Sequence, residues 1–192
     1  MAPNVLMLGI GNLPWADESF GVRCVEKLAR GWRFEANVQI LDGGTRGLYL
    51  LPFLEETEIL VVFDALDCGL PPGTLRIIEG DAVPAALGAR GPRLDQPGFG
   101  EVIEAARRMG SCPGRLLLVA YQPGARADDG IDAAIALALA RLRDWDVVPR
   151  QVRNDGGLLA GWPIRPAAPD ASRVKVRDAS RTVGGRFLPW GA

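Results

Sequence analysis

The chain reads as an α/β protein: a three-layer αβα sandwich on a mostly parallel central sheet of about five strands. Three observations lead there. Short, unbroken apolar runs recur along the chain and end at glycine or aspartate, as strands buried on both faces do. Segments of helical period lie between them, and alternating βα units imply parallel strands covered by helices on both sides. Finally, 192 residues at 48% hydrophobic and 23% charged suffice for one domain with a sizeable core.

The elements follow in order. Val5-Leu-Met-Leu is the first strand, closed by Gly9. Val22, Val25 and Leu28-Ala29 then recur at helical spacing, with Asp17 as candidate N-cap and Gly31 as stop. Val38-Gln-Ile-Leu and Ile59-Leu-Val-Val-Phe are two further strands, each ended by aspartate. Between them Leu48, Leu51 and Leu54 continue a helical pattern in which Pro52 has to sit early. A strand near Thr74 to Ile78, a helix from about Pro97 to Met109, a strand Arg115 to Tyr121 and a helix from about Ile131 to Trp145 complete the alternation. Residues 1–145 form the expected domain. Residues 146–192 carry 8 basic against 4 acidic side chains, whereas residues 1–145 carry 14 against 19. The last segment is also rich in proline and glycine, and is expected to be a basic extension, partly extended or disordered, with one strand around Val174 to Val176.

Composition excludes several chemistries. Histidine is absent, which removes Ser-His-Asp and Cys-His nucleophile systems, H-E-x-x-H zinc sites and every imidazole-based metal centre. Any general base is therefore a carboxylate, cysteine, tyrosine or lysine. The two lysines, Lys27 and Lys175, lie outside any Walker A pattern. Gly9-x-Gly11 follows a strand, but Pro14 occupies the third glycine position of a dinucleotide fingerprint and Asp17-Glu18 would repel a pyrophosphate, so no nucleotide is expected. A net charge of -1 gives no reason to expect nucleic acid. Three dispersed cysteines, Cys24, Cys68 and Cys112, suit reduced thiols in a cytoplasmic protein, with Cys24 and Cys68 read as buried. The longest apolar run, about Ile131 to Ala140, is half of the roughly 20 residues a membrane span needs, so no membrane insertion is expected.

Ligands of open α/β sheets bind at the carboxyl ends of the strands. Three acidic segments arrive there: Asp17 and Glu18 after the first strand, Asp42 before Gly43-Gly44-Thr45, and Asp64 at the end of Val61-Val62-Phe63. Carboxylates brought together repel and call for a proton or a cation, which is the physical argument for a metal site. Each has a plainer alternative. Glu18 can serve a helix N-terminus, and Asp42 can shape a turn. Asp64 emerges from a buried strand, where an unpaired carboxylate is costly.

Eight segments, in order over about residues 5–145, resemble the nickel-iron hydrogenase maturation endopeptidases: Gly9-Ile-Gly-Asn12, Trp15-Ala-Asp-Glu-Ser-Phe-Gly-Val22, Leu41-Asp-Gly-Gly-Thr45, Gly47-Leu-Tyr-Leu-Leu-Pro52, Phe63-Asp-Ala65, Gly69-Leu-Pro-Pro-Gly-Thr74, Leu94-Asp-Gln-Pro-Gly-Phe99 and Tyr121-Gln-Pro123. The resemblance implies a phosphorylase/hydrolase-like αβα fold. It also implies an activity that removes the C-terminal extension of a hydrogenase large-subunit precursor after nickel insertion. It places metal recognition on Glu18 and Asp64, with nickel presented by the substrate, and gives Asp42 the family's D-G-G-T aspartate.

Where that family has histidine, this chain has Asp95 between Leu94 and Gln96. With Asp95 as third ligand, Glu18 and Asp64 make an all-oxygen set, which shifts preference from nickel toward magnesium, manganese or calcium. Asp95 also lies just before Pro97, where helix N-terminal electrostatics is its plainer role. The expected enzyme is a metal-dependent endopeptidase with Asp42, Glu18 and Asp64 in the reaction, acting as a monomer on the precursor's C-terminal region. The alternative is a protein that binds the precursor without cutting it, as chaperone or checkpoint.

Overall fold

A computed structural model describes residues 2–11, 19–44, 47–88, 98–126, 128–147, 150–151 and 176–178. Strand β1 (Val5–Ile10) leads to helix α1 (Phe20–Gly31), a short β2 (Trp32–Arg33) and β3 (Val38–Gly44). A 3-10 turn (Gly47–Leu50) runs into α2 (Leu51–Glu55) and β4 (Ile59–Ala65). Then come β5 (Leu75–Glu79), α3 (Ala82–Gly88), α4 (Phe99–Met109), β6 (Arg115–Tyr121), α5 (Asp128–Asp144), β7 (Arg150–Gln151) and β8 (Val176–Asp178). The main sheet has the order β3-β1-β4-β6-β5-β8, and β2 pairs with β7 in a separate ribbon. All neighbours in the main sheet are parallel except β5 and β6.

The apolar runs alternate between two cores, as a pleat of period two requires. Val5, Met7, Val61, Phe63 and Val119 pack under α1 and α5 with Cys24, Leu28, Ala134 and Ala138. Leu6, Leu8, Leu60, Val62 and Leu118 pack on the other side against Leu54, Val83, Val102 and Ile103 of α2, α3 and α4. The three layers expected from the sequence are therefore present. Proline 52 sits in the first turn of α2, where its missing N–H costs nothing.

Several details differ from the sequence expectation. The sheet has a sixth strand, because β8 adds to the edge of β5 in register with Leu75 to Ile77; it begins at Val176, not Val174. Helix α5 starts one turn earlier than Ile131, at Asp128. Helix α3 has no long apolar period and was not expected; it is held by Val83, Pro84 and Leu87 in the core. Helix α1 takes Ser19 as its N-cap rather than Asp17, which lies outside the described residues. In the segment before β4, the 3-10 turn shifts the helical phase, so that Leu50 and Leu54 are buried while Leu48 is exposed. The rest of residues 146–192, apart from Asp146, Val147, Arg150–Gln151 and Val176–Asp178, lies outside the described residues.

Candidate active site

The chain leaves β1 first for β3 on one side and later for β4 on the other, so the strand order reverses across β1. That reversal opens a crevice at the carboxyl ends of β1 and β4, the usual ligand site in such sheets. Helix α1 begins beside it, and the approach is unusually close. A Cβ on Gly21 would collide with the carbonyl oxygens of Phe63 and Ile10, and one on Gly9 would collide with the carbonyl of Gly21. The Gly9-x-Gly11 pattern is thus explained at its first position by helix-to-strand contact rather than by phosphate.

Asp64 is one residue from the end of β4 and is 2% exposed. Its ladder partner is Ala120 of β6, whose partner on the far side is Arg76 of β5. Cross-strand partners share a face, so Asp64, Ala120 and Arg76 form one row on the α2–α4 side, the backbones of Asp64 and Arg76 two strand spacings, about 10 Å, apart. Arg76 was not singled out by sequence reasoning; the signal was its alternation with Leu75 and Ile77, which sends it to that face. The following loop carries Cys68, which is half-buried rather than fully buried as expected. Burial pushes the Cys68 thiol up; the Arg76 guanidinium, which also hydrogen-bonds it, opposes that, and the nearby charges of Asp67 and Asp64 add to the rise.

Asp42 reaches the same edge of the sheet by a different route. Gly9 pairs with Asp42, but Ile10 pairs with Gly44, so Gly43 is the extra residue of a bulge. Asp42 Oδ1 accepts the Gly44 N–H at 2.9 Å, and Gly44 adopts a φ of +50°, which explains the paired glycines. Alternation from Ile40, which packs under α1, places Asp42 on the α1 side, across β1 from Asp64 and on the opposite face. The structure therefore brings Asp42 and Asp64 to one edge but does not set them side by side. Glu18 and Asp95 lie outside the described residues, one immediately before Ser19 and the other four residues before Phe99. Among the described residues, no three acidic or cysteine side chains gather into a metal cluster.

The flanks of the crevice are fixed by Tyr121, at the end of β6. Its ring stacks on Phe20 of α1 with centroids 4.5 Å apart, and its hydroxyl donates to the Arg126 carbonyl at 2.9 Å. A Cβ on Gly130 would stand 2.7 Å from that ring, so the first turn of α5 packs this close to Tyr121 because its third residue is glycine. Beyond β3, Leu48, Tyr49 and Phe53 leave an apolar patch exposed, Tyr49 at 84%.

With this geometry in hand, residues 22–142 match the family model described as hydrogenase maturation protease. The chain belongs to that family. It is 46% identical, over 195 aligned positions covering 96% of this chain and 93% of the relative, to hydrogenase expression/formation protein HupD of Rhodobacter capsulatus. It is 34% identical to the hydrogenase 2 maturation protease of Escherichia coli K12, covering 79% of this chain and 99% of that one. Among solved structures, the Escherichia coli hydrogenase maturating endopeptidase HybD superposes with a TM-score of 0.72 at 33% identity, covering 79% of this chain and 99% of that chain. The α/β architecture read from the sequence is the fold of this family.

Proposed function

We propose that this member of the maturation protease family is an endopeptidase that removes the C-terminal extension of a nickel-iron hydrogenase large-subunit precursor, after nickel has been inserted. The observation carrying this reading is Asp64: a carboxylate held 2% exposed at the crevice where the strand order reverses. It stands at the carboxyl end of a central strand, where ligands of open α/β sheets bind. In the proposal Asp64 and Glu18 meet the nickel carried by the precursor, with Asp95 in the third place, and the ion's position orients the adjoining peptide across the edge of the sheet. A carboxylate set binds that ion through oxygen, so another divalent cation can compete for it. Asp42, one of whose oxygens is taken by the Gly44 N–H, offers its other oxygen to accept a proton from the attacking water. The exposed Leu48, Tyr49 and Phe53 support a protein substrate, since they give an extended segment an apolar surface just beyond β3. The protein acts in the cytoplasm in this reading, as a monomer.

Processing of a nickel-loaded precursor, followed as a mass loss, tests the proposal. Cleavage by the native protein that falls at least a hundredfold in Asp64→Asn and Glu18→Gln, with both variants still unfolding cooperatively, is the expected outcome. One specific residue favours the second reading, a protein that binds the precursor without cutting it: Asp95 in place of histidine. That reading expects tight precursor binding, no mass loss, and cleavage appearing only in Asp95→His.

A further inference from the structure

The loop after Asp64 is gripped by residues at the end of β6, and one side chain does more of this than any backbone group. Leu66 N–H donates to the Tyr121 carbonyl at 2.9 Å, and Gly73 N–H donates to the Gln122 carbonyl at 3.0 Å, so both ends of the loop are tied to adjacent residues. The middle is tied by the Gln122 carboxamide. Its Oε1 accepts the N–H of Cys68 at 2.7 Å and that of Leu70 at 3.2 Å, and its Nε2 donates to Asp67 Oδ1 at 3.1 Å. The same Asp67 oxygen accepts the Gly69 N–H at 3.0 Å. Backbone N–H groups only donate and a carboxylate only accepts, so the site demands an acceptor on one arm and a donor on the other. Glutamine supplies both; glutamate, leucine and methionine do not.

A loop at the surface needs no such anchor for its own stability, because water can satisfy its amides. Here the chain has instead buried a neutral carboxamide to 9% exposure and spent all its hydrogen-bonding capacity but one N–H on the Cys68 and Leu70 N–H groups and the Asp67 carboxylate. We propose that Gln122 is a positioning residue of the site: through Asp67, Cys68 and Leu70 it holds the loop that follows Asp64 in one conformation, as the wall along which the precursor's peptide is laid. This rests on the peptidase reading. The charge of Asp64 contributes to the raised Cys68 thiol, which agrees with the loop lying close beside that carboxylate.

Gln122→Glu tests this in the full-length protein. The variant keeps the acceptor and the shape but turns a carboxylate toward Asp67. At pH 7.5, KM for the nickel-loaded precursor and its Kd should both rise about tenfold or more, with kcat within about twofold and the melting temperature little changed. Near pH 5 the two facing carboxyls share a proton, which restores the donor, and KM and Kd should return to the native values at that pH. Adding Asp67→Asn to the variant should recover much of the loss at pH 7.5. Unchanged KM and Kd, a loss that only follows the unfolded fraction, or no recovery by either route overturns the proposal. If the native protein binds the precursor without cutting it, the peptidase reading fails while Kd still tests Gln122. If it neither binds nor cuts, both fall.

Discussion

Cys24 shows how much a single position can say when its surroundings are known. It lies inside α1, buried against the sheet, and burial, with the charge of Asp132 second, pushes its thiol far above the ordinary range. It is therefore no nucleophile, and its titration becomes a statement about stability. The unfolded thiol ionises near pH 9 while the folded one stays protonated, so the unfolded state binds fewer protons above that pH and stability falls. Cys24→Ala should lower stability at pH 7 by removing packing, yet lose on average about 1 kcal/mol per pH unit less than the native protein between pH 9 and 10.5, as the unfolded thiol ionises. Urea unfolding across that range measures the difference; parallel slopes in the two proteins would contradict it. Asp67 shows the opposite sign: hydrogen bonds from Gly69 and Gln122 hold its carboxyl below the usual value, so the tie it makes persists at neutral pH and is lost only as the medium turns acid through that lowered value.

At the scale of elements, α1 is what makes the crevice. Its apolar period, with Phe20, Val22, Cys24, Val25 and Leu28 buried, is plain in the sequence. Its depth is not, because Gly21 is read by periodicity as a mere weak point in a helix. That glycine is what lets the helix start press on the backbone of β1 and β4. Gly21→Ala should thus cost about 3 kcal/mol or more, since rigid carbonyls on both strands block the new methyl, where an alanine in an ordinary helix interior would stabilise. A thermal melt showing no loss would mean that α1 can retreat without penalty. The salt bridges Arg23–Asp128 and Lys27–Asp132 join α1 to α5, but their exposed side chains make them worth no more than about 1 kcal/mol each. Helix position is set by the apolar face and the glycine contact.

At the scale of the whole molecule, the described residues of both cores lie between Val5 and Val147, and beyond them the described part of the extension adds the two-residue β7 beside β2 and the three-residue β8 at the sheet edge. The Escherichia coli endopeptidase, matched over 99% of its own length, covers only 79% of this chain. Removing residues 152–192 should therefore leave a cooperative fold, with a melting temperature within about 5 °C of the full chain. A chain that loses its cooperative transition on this truncation would show that the edge strand is part of the core's closure.

The apolar runs, their endings at Gly9, Asp42 and Asp64, and the helical periods between them were sufficient for the layer order and for bringing Asp42 and Asp64 to one edge of the sheet. Burial on two faces and connection handedness follow from local pattern, so these features are legible along the chain. Which carboxylates share a face was not legible. It depended on the bulge at Gly43 and on the register of three strands, which are long-range facts. The ties of Gln122 to Asp67, Cys68 and Leu70, over fifty residues earlier in the chain, likewise exist only once β4 and β6 are neighbours. Sequence determines what each strand can bury; the pairing of strands decides which side chains meet at their ends.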